Sequence, residues 1–198
     1  RGFFSDQLAG FASTYPSLEP VETHRIHCLV WSDYSTLPIV SLENGIRLDT
    51  SYYYWPSSWV QDRPGFFTGS GLPMRHAKAN GEIIDVYQSD TKMTDESGQS
   101  FPFTPATLFS RAVGPEGYYG AFTANMHTDP PTPSPAQGIL DEALPRGIPI
   151  LSSKQMLDWL DGRNSSSFAG LTWDGTTLGF TVVAGPSTRG LEAMLPTT

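Results

Sequence analysis

Short apolar segments separated by a helix occupy the second half of this 198-residue chain, and their order restricts the fold more than any other feature. The pattern predicts a strand over 117–126, a helix over 136–144 and another strand over 148–151. A strand, a helix and a strand in this order form the unit from which parallel sheets are built. The sequence therefore predicts an α/β fold.

Two further helices carry clear end signals. Apolar residues recur at helical spacing over 4–15, and Pro16 follows them. Ser152 and Gln155 have the spacing of a capping box, in which each side chain binds the other residue's backbone N–H. We expect the helix that they start to end before Gly162.

Earlier strands are predicted over 24–31, 45–55 and 81–87, with a long surface loop over 56–80. Beyond residue 163, apolar residues alternate on both sides of Asp174-Gly175, a two-residue hairpin signal, and a third strand is expected over 190–195. We therefore predict two parts: an α/β portion over 1–163 and a small β appendage over 164–198.

Composition excludes several functional classes. The chain has 20 acidic and 12 basic residues, so a net charge of −8 repels phosphate backbones and argues against a nucleic acid partner. No apolar run reaches the roughly 18 residues of a membrane-spanning helix, so we expect no membrane partner. Cys28 is the one cysteine, which rules out an internal disulfide. Since the first residue is Arg1, we expect that a segment precedes it.

Common catalytic motifs are missing from the sequence. The four histidines include no i, i+4 pair of the zinc-protease type, and His24 and His76 are expected at the surface. No phosphate-binding loop, dinucleotide fingerprint or Gly-x-Ser-x-Gly turn occurs. The remaining candidates are polar residues at the ends of predicted strands.

In parallel α/β folds, the carboxyl ends of the strands face the active site. Two predicted strands carry a pair of polar residues, two positions apart, that share one side: Arg25 and His27, and Arg47 and Asp49. A third pair, His127 and Asp129, follows the end of the predicted strand over 117–126. Structural interpretations stay open, because Arg47 with Asp49 can be an ordinary ion pair and His127 can be held by Asp129.

Aromatic residues follow Asp49 closely. Tyr53 and Trp55 lie in a run of four aromatics, and Trp59 follows in the predicted loop. Alternation along a strand lets only half of such a run face a core, so the others can stack on sugar rings in a cleft. Core packing is the alternative.

The segment 45–56, the Gly69–Arg75 stretch, the strand ending at His127 and the segment 147–159 together resemble the later half of the polysaccharide deacetylase superfamily, particularly divergent secreted members from actinobacteria. The resemblance covers 1–163. It implies a partial or distorted (β/α) barrel, removal of acetyl groups from a cell-wall or extracellular polysaccharide, and a secreted or cell-wall-associated protein.

The resemblance also implies roles for individual residues. His127, in Ala124-Asn125-Met126-His127, corresponds to the general acid, tuned by Asp49 or Asp129, and Arg25 corresponds to an arginine that orients a carboxylate. The candidate catalytic residues are His127, Asp49, His27 and Arg25, and the candidate substrate-binding residues are Arg47, Tyr53, Trp55, Trp59, Arg75 and Asp129.

The family's Thr-Phe-Asp-Asp motif and His-x-x-x-His pair do not occur here. The divalent, zinc-like metal that the resemblance implies would therefore have its main ligands upstream of Arg1, in the N-terminal remainder of the same polypeptide, and we expect this piece alone to be inactive. Two other functions remain open: a glycoside hydrolase that pairs Asp49 with Glu82 or Asp85, and a non-catalytic carbohydrate-binding module that uses the aromatic loop.

Overall fold

A computed structural model describes residues 2–27, 32–53, 58, 62–65, 69–96, 98–117, 120–129 and 134–194. Within them the protein is mixed α/β, with five α-helices and three sheets. The elements in chain order are α1 (Gly2–Thr14), β1 (Thr23–His24), α2 (Thr36–Glu43), β2 (Leu48–Asp49), β3 (Met74–Ala77), β4 (Ile83–Gln88), β5 (Thr91–Thr94), α3 (Phe103–Val113), β6 (Thr123–Asn125), α4 (Ser134–Ala143), a 3-10 turn (Leu144–Arg146), α5 (Ser153–Ser165), β7 (Ser167–Trp173) and β8 (Leu178–Val183). No helix among these residues is long and apolar enough to cross a membrane.

The chain forms two compact units, Arg1–Ile150 and Leu151–Thr198. Helix α5, which the sequence analysis placed with the α/β portion, belongs to the second unit. The first unit contains a sheet of four strands in the order β1-β2-β4-β3, in which β1, β2 and β4 are parallel and β3 is antiparallel. Leu48 on β2, Val86 on β4 and Ile46 just before β2 are fully buried.

The first unit also contains a second, two-stranded sheet. Strand β4 ends at Gln88, and the chain runs on after two residues into β5, which pairs in parallel with β6. Helix α3 lies between β5 and β6 along the chain, just as α2 lies between β1 and β2, so the structure contains two strand-helix-strand units. Neither is the predicted unit, whose last strand over 148–151 does not form. A buried cluster of Met93, Leu108, Phe109 and Ala143 joins β5 to α3 and α4.

The predicted α/β class is confirmed, but the described strands form separate sheets and none of these closes into a barrel. A deacetylase-type barrel therefore has no support from the strand pairing. The parallel strands β1 and β2 are also shorter than predicted, with two residues each.

In the second unit, the Ser152 capping box is confirmed, with Gln155 N–H donating to Ser152 Oγ at 3.2 Å and Ser152 N–H donating to Gln155 Oε1 at 2.8 Å. The predicted helix end at Gly162 is wrong, since α5 continues to Ser165. The glycine serves packing instead, because a Cβ there would lie 1.7 Å from the carbonyl oxygen of Pro186. Strands β7 and β8 form the predicted antiparallel hairpin.

Two strand predictions and one loop prediction are wrong. Residues 148–151 form no strand, because Ile148 N–H donates to the end of α4 at Ala143 O. Residues 190–194 add no third strand to the hairpin. The predicted loop 56–80 contains β3, which is held by pairing with β4.

Candidate functional site

His127 and Asp95 form the first polar group, at the carboxyl ends of β5 and β6. Asp95 directly follows β5, and His127 lies two residues beyond β6, so the parallel pairing of these strands brings the two together. Asp95 Oδ1 lies 2.8 Å from His127 Nδ1, and Asp95 Oδ2 accepts from the His127 backbone N–H at 2.9 Å. One carboxylate therefore fixes both the backbone and the ring of the histidine.

The other ring nitrogen of His127 lies near a second, more exposed carboxylate, that of Glu96. Nε2 is 3.4 Å from Glu96 Oε1, and 29% of the histidine side chain is exposed. The hydrogen bond to Asp95 raises the pKa of His127, assisted by the negative charges of Asp95, Glu96 and Asp129. Burial raises the pKa of Asp95, but the hydrogen bonds and charge of His127 outweigh it and leave that pKa lowered.

This arrangement favours a charged imidazolium, which is the form that a general acid requires, and its Nε2 faces the exposed carboxylate of Glu96. The hydrogen-bond partner of His127 differs from both predicted ones. Asp129 contributes only its nearby charge, and Asp49 does not touch His127. Asp95 was missed because the buried strand that precedes it, Thr91–Thr94, has three polar residues in four and does not show an apolar pattern.

Asp49 and His24 form a second polar group at the ends of β1 and β2. His24 Nε2 lies 3.5 Å from Asp49 Oδ1, which also accepts from the Ser51 backbone N–H at 2.8 Å. Asp49 is only 1% exposed, and its Oδ2 has no hydrogen-bond partner. The expectation that His24 lies at the surface is wrong, since its side chain is 11% exposed and the ring packs edge-on against Phe4.

Ser41 completes a set of serine, histidine and aspartate, with Oγ 3.4 Å from His24 Nε2. A nucleophile relay needs the serine and the aspartate on different ring nitrogens, because one nitrogen takes the serine proton while the other is held by the carboxylate. Here both groups face Nε2. Burial also lowers the pKa of His24, against the opposing effect of Asp49. We therefore interpret this group as structural.

His76 and Asp90 lie electrostatically close to Asp49, and Lys92 lies close to Asp90. Burial lowers the pKa of His76, against the charge of Asp49. His76 was expected at the surface, and the structure places it half-buried on β3. Burial raises the pKa of Asp90, although Lys92 lowers it. Burial lowers the pKa of Lys92 to about 8, against the charge of Asp90.

Lys92 is the most unusual of these residues. It is 2% exposed, and its Nζ has no hydrogen-bond partner. The amine lies against the backbone of Gly71, where a Cβ would be 1.3 Å from Nζ. Sequence reasoning missed Lys92, since nothing near it in the chain indicates burial.

Arg25 and His27 follow β1, and Arg25 lies over the ring of Tyr53 at 5.4 Å. His27 is exposed. Trp55 and Trp59, the other predicted sugar-binding aromatics, lie outside the described residues. Among the described residues, no hydrogen bond or ion pair joins His127 directly to Asp49 or Arg25.

Arg47 and Arg75 converge on one carboxylate. Arg47 Nη2 lies 2.9 Å from Asp85 Oδ2, and Arg75 Nε lies 3.2 Å from Asp85 Oδ1. Arg75 also donates to the Tyr87 hydroxyl at 3.0 Å. Asp85 thus holds β3 and β4 beside β2. Glu82, the other predicted partner of Asp49, pairs with Lys78 in the β3–β4 turn.

The described residues contain no group of three or more histidine, cysteine, aspartate or glutamate side chains that could hold a metal ion. They therefore do not provide the zinc-like site that the resemblance implies. No protein-family model matches the chain, and neither does any curated protein or solved structure.

Proposed function

We propose that this chain is a carbohydrate-active hydrolase that removes acetyl groups from a cell-wall or extracellular polysaccharide, with His127 as the general acid. The observation that carries the proposal is the Asp95–His127 pair at the carboxyl ends of two parallel strands. The carbohydrate class and a secreted location rest on the sequence resemblance.

Release of an acetyl group requires a proton on the departing sugar oxygen or nitrogen. The raised pKa of His127 favours the imidazolium form, from which Nε2–H can supply that proton. Asp95 fixes the ring through Nδ1 and stabilises its charge. Asp95 thus takes the tuning role for which the sequence analysis considered Asp49 and Asp129.

The metal enters this proposal only as an expectation from the resemblance. Because the described residues do not provide a metal site, we assign no step to a metal. Tyr53 has one ring face fewer for stacking on a sugar, since Arg25 lies over the other face of its ring.

The test measures acetate release by the natural polypeptide that contains this chain, on N-acetylated and O-acetylated oligosaccharides, with added zinc and with chelator. We expect His127→Gln to lower the rate about 100-fold or more, the range for loss of a general acid. Asp158→Asn is the matched control, because it breaks an exposed ion pair with Lys154 on α5.

Asp95→Asn provides a second readout. Loss of the carboxylate lowers the pKa of His127, so the fall in rate at high pH should move to lower pH. Full activity of His127→Gln would contradict the role of the histidine. Release of reducing ends without acetate would indicate a glycosidase, and metal-independent glycan binding without any product would indicate a binding module.

A further inference from the structure

The β7–β8 hairpin presents an uncovered apolar face. Phe168 pairs with Val182 and Trp173 pairs with Leu178, so these side chains share a face with Phe180. Phe168 and Phe180 are in edge-to-face contact at 5.3 Å. Four of these side chains are substantially exposed: Phe168 by 52%, Trp173 by 64%, Leu178 by 39% and Val182 by 46%.

Exposing these apolar side chains to water is unfavourable in free energy. A two-stranded hairpin is marginally stable at best without a covering layer, and contiguous apolar patches of several hundred Å² mark interaction sites. At roughly 100 Å² exposed per large side chain, the face offers about 400–500 Å². Two such faces together approach the roughly 1,000 Å² that a specific interface needs.

Charge distribution favours contact between identical faces. Residues 151–198 carry three basic and four acidic side chains, so most of the net charge of −8 lies in the first unit. Within 167–183 the one charged residue is Asp174, at the turn, where its carboxylate accepts from the backbone N–H groups of Thr176 and Thr177. Two hairpins can therefore meet without like charges from their own strands. Arg163 and Glu192, which line a small cavity together with Phe168 and Val182, have opposite charges.

The face suits such contact better than the edges. The register of β7 shifts between Ala169 and Thr172, around Gly170 with its positive φ of 59°. A bulge of this kind twists an edge strand and hinders addition of another strand. Sheets that pack face to face instead interdigitate their side chains, and a twofold arrangement uses the same patch on both copies.

We propose that a second copy of this chain covers the apolar face of the hairpin, so that two hairpins pack face to face about a twofold axis. The proposal does not depend on the hydrolase function, since none of its residues belongs to the Asp95–His127 site.

Sedimentation velocity over about 1–100 µM protein tests the proposal, since this range covers micromolar dissociation constants. We expect the mass to rise from 21.6 kDa towards twice that value. Val182→Lys should weaken the dimer at least 10-fold. Thr181→Lys is the matched control, because Thr181 is also exposed on β8 but faces the other side, opposite Ala169, and it should leave the dimer intact.

Circular dichroism verifies that both variants are folded, and Trp173→Ser replaces Val182→Lys if the latter is not. A monomer at every concentration would overturn the proposal, including one in which the first unit of the same chain covers the face. A dimer that persists in Val182→Lys, or is lost equally in Thr181→Lys, would also overturn it.

Discussion

Replacing Lys92 by methionine tests the unusual environment of this side chain. Methionine has nearly the same length and fills the space against Gly71 but carries no charge. The ammonium of Lys92 has no hydrogen-bond partner and is 2% exposed, so the folded protein holds it at a cost. We expect Lys92→Met to be more stable than the wild type at neutral pH.

The magnitude follows from the pKa of Lys92, which burial lowers from 10.5 to about 8. Each tenfold change in a protonation equilibrium is worth about 1.4 kcal/mol, so the buried ammonium costs about 3 kcal/mol at pH 7. Between about pH 8 and 10.5 the unfolded chain keeps this proton while the folded chain has lost it. Wild-type stability therefore rises with pH in this window, and the variant lacks this contribution.

Denaturant unfolding followed by tryptophan fluorescence at pH 7 and pH 10 measures the effect. The stability advantage of Lys92→Met should shrink by about 2.5 kcal/mol between the two pH values. Lys78→Met is the control, because Lys78 is 40% exposed and pairs with Glu82. An advantage of Lys92→Met that is equal at both pH values would refute the reasoning.

Three further changes have defined outcomes. Gly71→Ala should cost about 3 kcal/mol or more in denaturant unfolding, because its Cβ would overlap the end of Lys92 and would lie 2.6 Å from the backbone carbonyl oxygen of Ala121. Gly81→Ala, with a similar positive φ but open space, should cost about 1 kcal/mol, and equal losses would contradict the collision. Ser152→Ala should cost about 1 kcal/mol by the same assay, and no loss would mean that the capping box is unimportant. Asp95→Asn should lower the pKa of the neighbouring imidazole in an NMR titration, and an unchanged pKa would refute the hydrogen bond.

Features with local causes were predictable from the sequence. The capping box joins Ser152 to Gln155, three residues away, and the hairpin turn at Asp174 is likewise contained in a few residues. His127 was identified as a strand-end residue because the segment before it is apolar enough to indicate a strand. Its carboxylate partner lies 32 residues away and required knowledge of which strands pair.

Two buried features were not predicted, for different physical reasons. The segment Phe103–Val113 was not predicted as a helix, because Pro105 suggests a loop although proline is tolerated in the first turn of a helix. The buried position of Lys92 depends on Gly71, distant in the chain and lacking a side chain, which leaves room for the amine. In both cases, a residue type that usually indicates a loop or an exposed surface occupies a helix or a buried position.

The packing of Gly162 has a practical consequence for identifying related proteins. Only a hydrogen fits between α5 and the carbonyl oxygen of Pro186, so a chain that folds its last segment in the same way must keep glycine at this place. Ser152, Gln155 and Gly162 then form a spaced signature of serine, glutamine and glycine. A search for distant homologues should therefore give these three positions more weight than the surface positions around them.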